Sequence, residues 1–145
     1  MILLDAYAVL ALFKGEPAAD EVTALFARDE VRLTSVGVAE IIDHLVRLMH
    51  VDFDTACLDV ASLPVRESIV ANEDVARRAG ELRAHHYHRT TRAVSLADCL
   101  LAASARDLQA TLATADPHLL SLCVEERIDV VVLPDSAGRR WSAPR

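Results

Sequence analysis

MILLDAYAVLALF, residues 1–13, reads as a short buried strand running straight into a helix, with a single acid, Asp5, at the joint. Ile2–Leu4 is the apolar run expected to form the strand. Ala6–Phe13 reads as helical and is broken by Gly15 and Pro17. The stretch holds a charge and has no basic leader ahead of it, so it does not read as a secretion signal.

The same alternation continues outward. Ala18–Arg28 is a second helix, with Val22, Leu25 and Phe26 on one face at i, i+3, i+4 spacing. Val31–Thr34 reads as a strand. Ser35–His50 is a long helix with an apolar stripe through Val38, Ile41, Ile42, Leu45, Val46 and Met49. Asp52–Ala61 is a helix with Asp52 or Asp54 near its cap, and Leu63–Val65 is a weak strand. Asn72–His86 opens on an Asn cap followed by Glu73 and Asp74. Ser95–Leu108 is a strongly apolar helix, Thr111–Thr114 a strand, Pro117–Glu126 a helix and Asp129–Leu133 the last strand. This order predicts a single α/β domain: a central parallel sheet of about five short strands with helices on both faces. The domain is expected over residues 1–137. The basic tail 138–145, GRRWSAPR, is expected to be loosely held.

Composition supports a packed domain. The 145 residues suffice for one core, and 52% hydrophobic content with a mean hydropathy of +0.24 argues against disorder. No apolar run reaches the roughly 18 residues a bilayer crossing needs. Cys57, Cys99 and Cys123 are odd in number, lack zinc-ligand spacing and sit in apolar helical context. They read as free buried thiols of a cytoplasmic protein. The net charge of −7 is a poor footprint for general nucleic-acid binding, which favours a basic face. Acids gathered around a cation would account for part of that charge. Lys14 is the only lysine; every other basic residue is Arg.

Four acids stand where strands give way to helices: Asp5, Glu40, Asp98 and Asp116. Each of three has an ordinary explanation. Asp5 can cap the first helix, Asp116 can cap a helix with Pro117 at its first position, and Asp98 can be the reciprocal partner of Ser95 in a capping box. Glu40 escapes this explanation, because neither Thr34 nor Ser35 as a cap puts the third helical position at Glu40. Taken together the four point elsewhere. Parallel strands deliver their C-terminal ends to one sheet edge, and ligands bind there at the point where strand order reverses. If Ile2–Leu4 neighbours Thr111–Thr114, Asp5 and Asp116 face each other across that point. Carboxylates gathered there repel unless a hard, oxygen-seeking cation such as Mg²⁺ or Mn²⁺ holds them. Thr114 either orients Asp116 or is simply the strand's final β-branched residue.

ILLDAYAVLALF at the start, TSVGVAEIIDHL around Glu40, VSLADCLLAASA around Asp98 and TLATADPHLL around Asp116 together resemble the PIN-domain family, and within it the VapC-like ribonuclease toxins of toxin–antitoxin pairs. The order, approximate spacing and total length all fit. The resemblance implies that Asp5, Glu40, Asp98 and Asp116 bind Mg²⁺ or Mn²⁺ and support hydrolysis of RNA to 5′-phosphate and 3′-hydroxyl ends. The apolar faces of the first two helices, which include Leu10, Phe13, Leu25 and Phe26, read mostly as core; the resemblance implies that part of them receives a cognate antitoxin protein and part a second copy of the chain in a homodimer. One departure is Ala6, where the family often places Ser or Thr. His85–Arg92, HHYHRTTR, is either the cationic end of a helix or an RNA contact, with Arg89 and Arg92 on phosphates and Tyr87 stacked on an unpaired base. Arg139, Arg140 and Trp141 repeat that pattern more weakly.

Other folds of this size fit less well. A response-regulator receiver needs an acidic pair after the first strand and a late lysine, and a haloacid-dehalogenase-type phosphatase needs Asp-x-Asp where Tyr7 stands. The alternative from another class is a catalytically silent PIN-like module that binds protein or RNA.

Overall fold

A computed structural model describes residues 1–143. The strands are β1 (Ile2–Leu4), β2 (Val31–Arg32), β3 (Thr111–Thr114) and β4 (Val130–Val132). The helices are α1 (Ala6–Lys14), α2 (Ala19–Arg28), α3 (Ser35–Arg47), α4 (Phe53–Ala61), α5 (Glu73–His86), α6 (Leu96–Asp107) and α7 (Pro117–Glu125). The strands form one parallel sheet in the order β2-β1-β3-β4. From β1 the chain goes to β2 on one side and later returns to β3 on the other. The order therefore reverses between β1 and β3, which pair from Ile2↔Thr111 to Leu4↔Ala113.

Strand residues point alternately to the two faces, and each face has its own core. Ile2, Leu4, Val31, Leu33 and Ala113 pack with Val9, Val22, Ile41, Leu45 and Val60 of α1 to α4. Leu3 and Leu112 pack on the opposite face with Val75, Leu82, Leu101, Leu119 and Leu122 of α5, α6 and α7. This is the expected arrangement of helices on both faces. Cys99 and Cys123 are buried free thiols, pushed up to about 11 and about 12 by burial, and Cys57 is also free.

The edge beyond β2 differs from expectation. Leu63–Val65 is not a strand. Instead, the Arg66 and Ile69 N–H groups donate to Val31 and Leu33 carbonyls at 3.1 and 2.8 Å, and the Ser35 N–H donates to the Ile69 carbonyl at 2.9 Å. The edge is thus covered by an irregular stretch with a single parallel bridge, Thr34↔Ile69. Arg32 holds the intervening turn through two bonds to the Glu67 carbonyl. Arg139 pairs with Asp135 at 3.0 Å, and Arg140 reaches Glu21 and the Val132 carbonyl. The last two tail positions, 144–145, lie outside the described residues. Among the described residues, no helix is long and apolar enough to cross a membrane.

Candidate functional site

Each expected acid is placed by the start of a helix. Asp5 follows β1, and its Oδ1 accepts the Ala8 N–H at 2.8 Å to cap α1. Thr34 caps α3 through the Gly37 N–H at 3.0 Å, so that Glu40 falls one turn in. Gly37 eases this close approach: a Cβ there would stand 3.2 Å from Thr34 Oγ1. Ser95 and Asp98 form a reciprocal capping box at the start of α6, with bonds of 3.0 and 2.7 Å. Asp116 follows β3, and its Oδ1 accepts the His118 and Leu119 N–H groups at 2.7 and 3.1 Å, with Pro117 opening α7.

The capping explanations therefore hold for Asp5, Asp98 and Asp116, and the same side chains still meet. All four acids line one cavity of about 130 Å³ at the β1/β3 switch point, together with Ala6, Tyr7, Thr34, Gly37 and Ala97. Capping engages one oxygen of Asp98 and one of Asp116. Among the described residues, Asp98 Oδ1, Asp116 Oδ2 and the Glu40 carboxylate make no hydrogen bond. Glu40 stands at the exposed mouth, Asp98 and Asp116 are partly buried, and Asp5 is only 7% exposed on the floor.

Electrostatics record the crowding. Burial is the main cause that pushes the Asp5 carboxyl up to about 7, and the neighbouring Asp98 and Asp116 charges add to it. Bonds from Thr114 and Ala8 pull the other way. The Asp98 carboxyl is raised, first by burial and also by Asp116, against the lowering effect of its Ser95 bonds. Glu40 is raised by burial and by Asp98. Among the described residues no basic side chain lines this cavity, and the nearby His118 is the smallest of the named influences on Asp98.

Two neighbours matter more than the sequence reading allowed. Thr114 is fully buried, donates its hydroxyl to Asp5 and accepts the Asp116 N–H at 3.0 Å. It ties together the acids of β1 and β3, whereas the sequence suggested at most a role toward Asp116. Tyr7 lines the wall and donates its hydroxyl to the Pro134 carbonyl at 3.0 Å; burial is the main cause that pushes its phenol up to about 12. A buried hydroxyl at the end of a strand was the available signal for Thr114; for Tyr7 nothing in the sequence gave it.

The basic segment is rearranged. Arg92 is not free for phosphate: it bonds Glu125, Ser121 at 2.9 Å and His86 at 2.8 Å. His86 in turn meets Glu126 at 2.6 Å, which also pairs with Arg106. Arg139 and Arg140 are likewise occupied by acids.

The PIN domain model matches residues 2–125. The chain belongs to the PIN domain family. No curated protein sequence matches it significantly. Many solved structures share this PIN fold. FitAcB from Neisseria gonorrhoeae is 21% identical with a TM-score of 0.65, over 90% of this chain and 96% of that one. VapBC2 from Rickettsia felis, bound to a promoter DNA fragment, is 20% identical with a TM-score of 0.63, over 90% and 98%. VapC20 of Mycobacterium tuberculosis, described as a Sarcin-Ricin loop cleaving toxin, is 21% identical with a TM-score of 0.62, over 77% and 87%. At these identities the likeness establishes the fold.

The all-oxygen donor set of this PIN domain suits a hard divalent cation, and the cavity leaves room for waters that Mg²⁺ retains. As the side chains lie, no three His, Cys, Asp or Glu groups among the described residues are drawn together closely enough to enclose an ion. Ion binding therefore requires rotation of free carboxylate oxygens into the cavity.

Proposed function

We propose that the chain is a metal-dependent endoribonuclease, the toxin of a toxin–antitoxin pair. The observation that carries this reading is the convergence of Asp5, Glu40, Asp98 and Asp116, from four separate segments, on one cavity that no Lys, Arg or His among the described residues lines. Glu40, Asp98 and Asp116 would hold Mg²⁺ or Mn²⁺ by their free oxygens, and Asp5 would hold it from the floor. When bound, the cation supplies charge neutralisation and Lewis-acid polarisation for phosphodiester hydrolysis.

The chain's own residues set the stage for that chemistry. Thr114 and the Ala8 N–H engage both oxygens of Asp5, while the caps of α6 and α7 each anchor one oxygen of Asp98 and Asp116 and leave the other to turn toward a water or the cation. A carboxylate oxygen so placed can orient a water and accept its proton. Attack of water at phosphorus with departure of the 3′-oxygen, protonated as a hydroxyl, would leave 5′-phosphate and 3′-hydroxyl ends.

The partners follow by likeness. One structure of the same fold, from Klebsiella pneumoniae, is a toxin–antitoxin complex. An antitoxin would inhibit this chain by covering the acidic cavity with a basic side chain, and a second copy would form a homodimer. The cytoplasm is the expected compartment. Sequencing of RNA ends after induction in cells tests the activity. New 5′-phosphate ends, absent for Asp5→Asn with the fold intact, support it. No cleavage of cellular RNA at saturating Mn²⁺ favours the silent binding module instead.

A further inference from the structure

Between Glu81 and Asp98 the sequence carries no acid, in a chain of net charge −7, and its Arg and His residues are concentrated there: Arg83, His85, His86, His88, Arg89 and Arg92. The network described above absorbs His86 and Arg92. Arg83 is different. Its guanidinium lies 4.5 Å from the centroid of the Tyr87 ring. It has no carboxylate partner among the described residues, and its Nε is buried without a hydrogen-bond acceptor. Tyr87 remains 44% exposed and Leu96 53% exposed. These three, with Gly80 and Ala84, line an open hollow of about 340 Å³. Gly80 leaves the wall open, since a Cβ there would meet nothing within 4 Å.

The position is as informative as the composition. Leu96 belongs to this hollow, while Ala97 and Asp98 line the acidic cavity. The two hollows therefore flank the same first turn of α6. An exposed aromatic ring stiffened by a stacked guanidinium, beside an exposed aliphatic side chain, suits the flat face and polar edge of a nucleobase. The Arg83 guanidinium that lines the hollow has no carboxylate partner among the described residues, and its terminal N–H groups suit a base carbonyl or ring nitrogen. Arg89, exposed and without an ion pair among the described residues, can meet the adjoining phosphate.

We propose that the Arg83–Tyr87–Leu96 hollow is a nucleobase subsite, which takes an unpaired RNA base next to the phosphate held at the acidic cavity. This rests on the ribonuclease reading above and adds how the substrate is gripped. A single strand, not a duplex, is the form that fits, because a stacked pair would not offer a free face.

The test uses a fluorescein-labelled, mixed-sequence single-stranded RNA of twelve nucleotides, titrated in EDTA by anisotropy. A second copy carries 5-iodouridine for photocrosslinking and peptide mapping. Tyr87→Ala is expected to weaken binding about ten-fold, within the usual range for base–aromatic stacking, while Tyr87→Phe keeps it. Arg83→Gln is expected to weaken it several-fold, and the crosslink is expected at Tyr87. Tyr87→Ala binding within two-fold of wild type, with crosslinks only elsewhere, overturns the subsite. So does loss of a dimer in Tyr87→Ala on sedimentation with RNA affinity retained, which would make this face a contact between copies. Cleavage is assayed in parallel with Mn²⁺. Cleavage with the subsite results negative sinks the subsite alone. A Tyr87 crosslink without cleavage sinks the nuclease reading and leaves an RNA-binding face.

Discussion

Asp5 carries two duties on one carboxylate: one oxygen caps α1 and the other receives the Thr114 hydroxyl. Its acid–base behaviour follows from that confinement. The ordinary value of 3.8 is pushed up to about 7 in the folded chain, chiefly by burial. A raised folded-state value means that the protonated acid stabilises the fold. That contribution is complete below about pH 4 and is lost as pH rises through about 7. Asp98 and Glu40 are shifted the same way. Metal-free protein should therefore lose thermal stability between about pH 4 and 7, by an amount on the order of a few kcal/mol at most. Chemical denaturation at several pH values in EDTA measures this, and stability that rises over the same window contradicts it. Thr114→Val removes the donor that lowers the Asp5 value. It should cost roughly 1–3 kcal/mol, the usual range for an orphaned buried group, and move the acid limb of the pH–rate profile to higher pH. An unmoved limb would mean that the hydroxyl does not tune Asp5.

Helix starts are the elements that build the site. Ser95→Ala removes the hydroxyl that accepts the Asp98 N–H and should cost about 1 kcal/mol, while the Ser95 N–H that orients the Asp98 carboxylate remains, so metal affinity should stay near wild type. Arg92 and Arg89 should separate cleanly. Arg92→Met should lower stability by up to about 1 kcal/mol, since its acid partners are partly exposed, and leave RNA affinity near wild type. Arg89→Ala should do the reverse, weakening RNA binding without moving the melting temperature. Calorimetric melting and anisotropy on the same samples decide. At this scale the sequence was most legible where local chemistry decides structure. The caps at Asp5, Asn72, Ser95 and Asp116 were each readable from residue type and spacing. The edge of the sheet was not. Leu63–Val65 has strand-like residues, but pairing with β2 falls to Arg66 and Ile69, and that register is set by tertiary packing. The occupied state of Arg92, Arg139 and Arg140 was equally hidden, because their acid partners lie on other elements or across a turn.

Across the whole molecule, strand order turns scattered acids into a cluster. The alternation of strands and helices made the parallel sheet readable, but adjacency of β1 and β3 spans more than a hundred residues and was only a condition in the sequence reading. Once it holds, Asp5 and Asp116 meet across the switch point, and the starts of α3 and α6 bring Glu40 and Asp98 to the same edge. A cation that relieves this repulsion competes with protons for the same oxygens. Mn²⁺ should therefore raise the melting temperature by several degrees at pH 8 and by much less at pH 5. The most direct measurement is calorimetric titration of Mn²⁺ into wild-type protein and into Asp5→Asn, Glu40→Gln, Asp98→Asn and Asp116→Asn at pH 7.5, with folding of each checked by melting. Saturable heat in the wild type that is abolished or weakened at least ten-fold in the folded variants is the predicted result. No heat in the wild type, or the same heat in all four variants, would contradict a shared divalent-ion site.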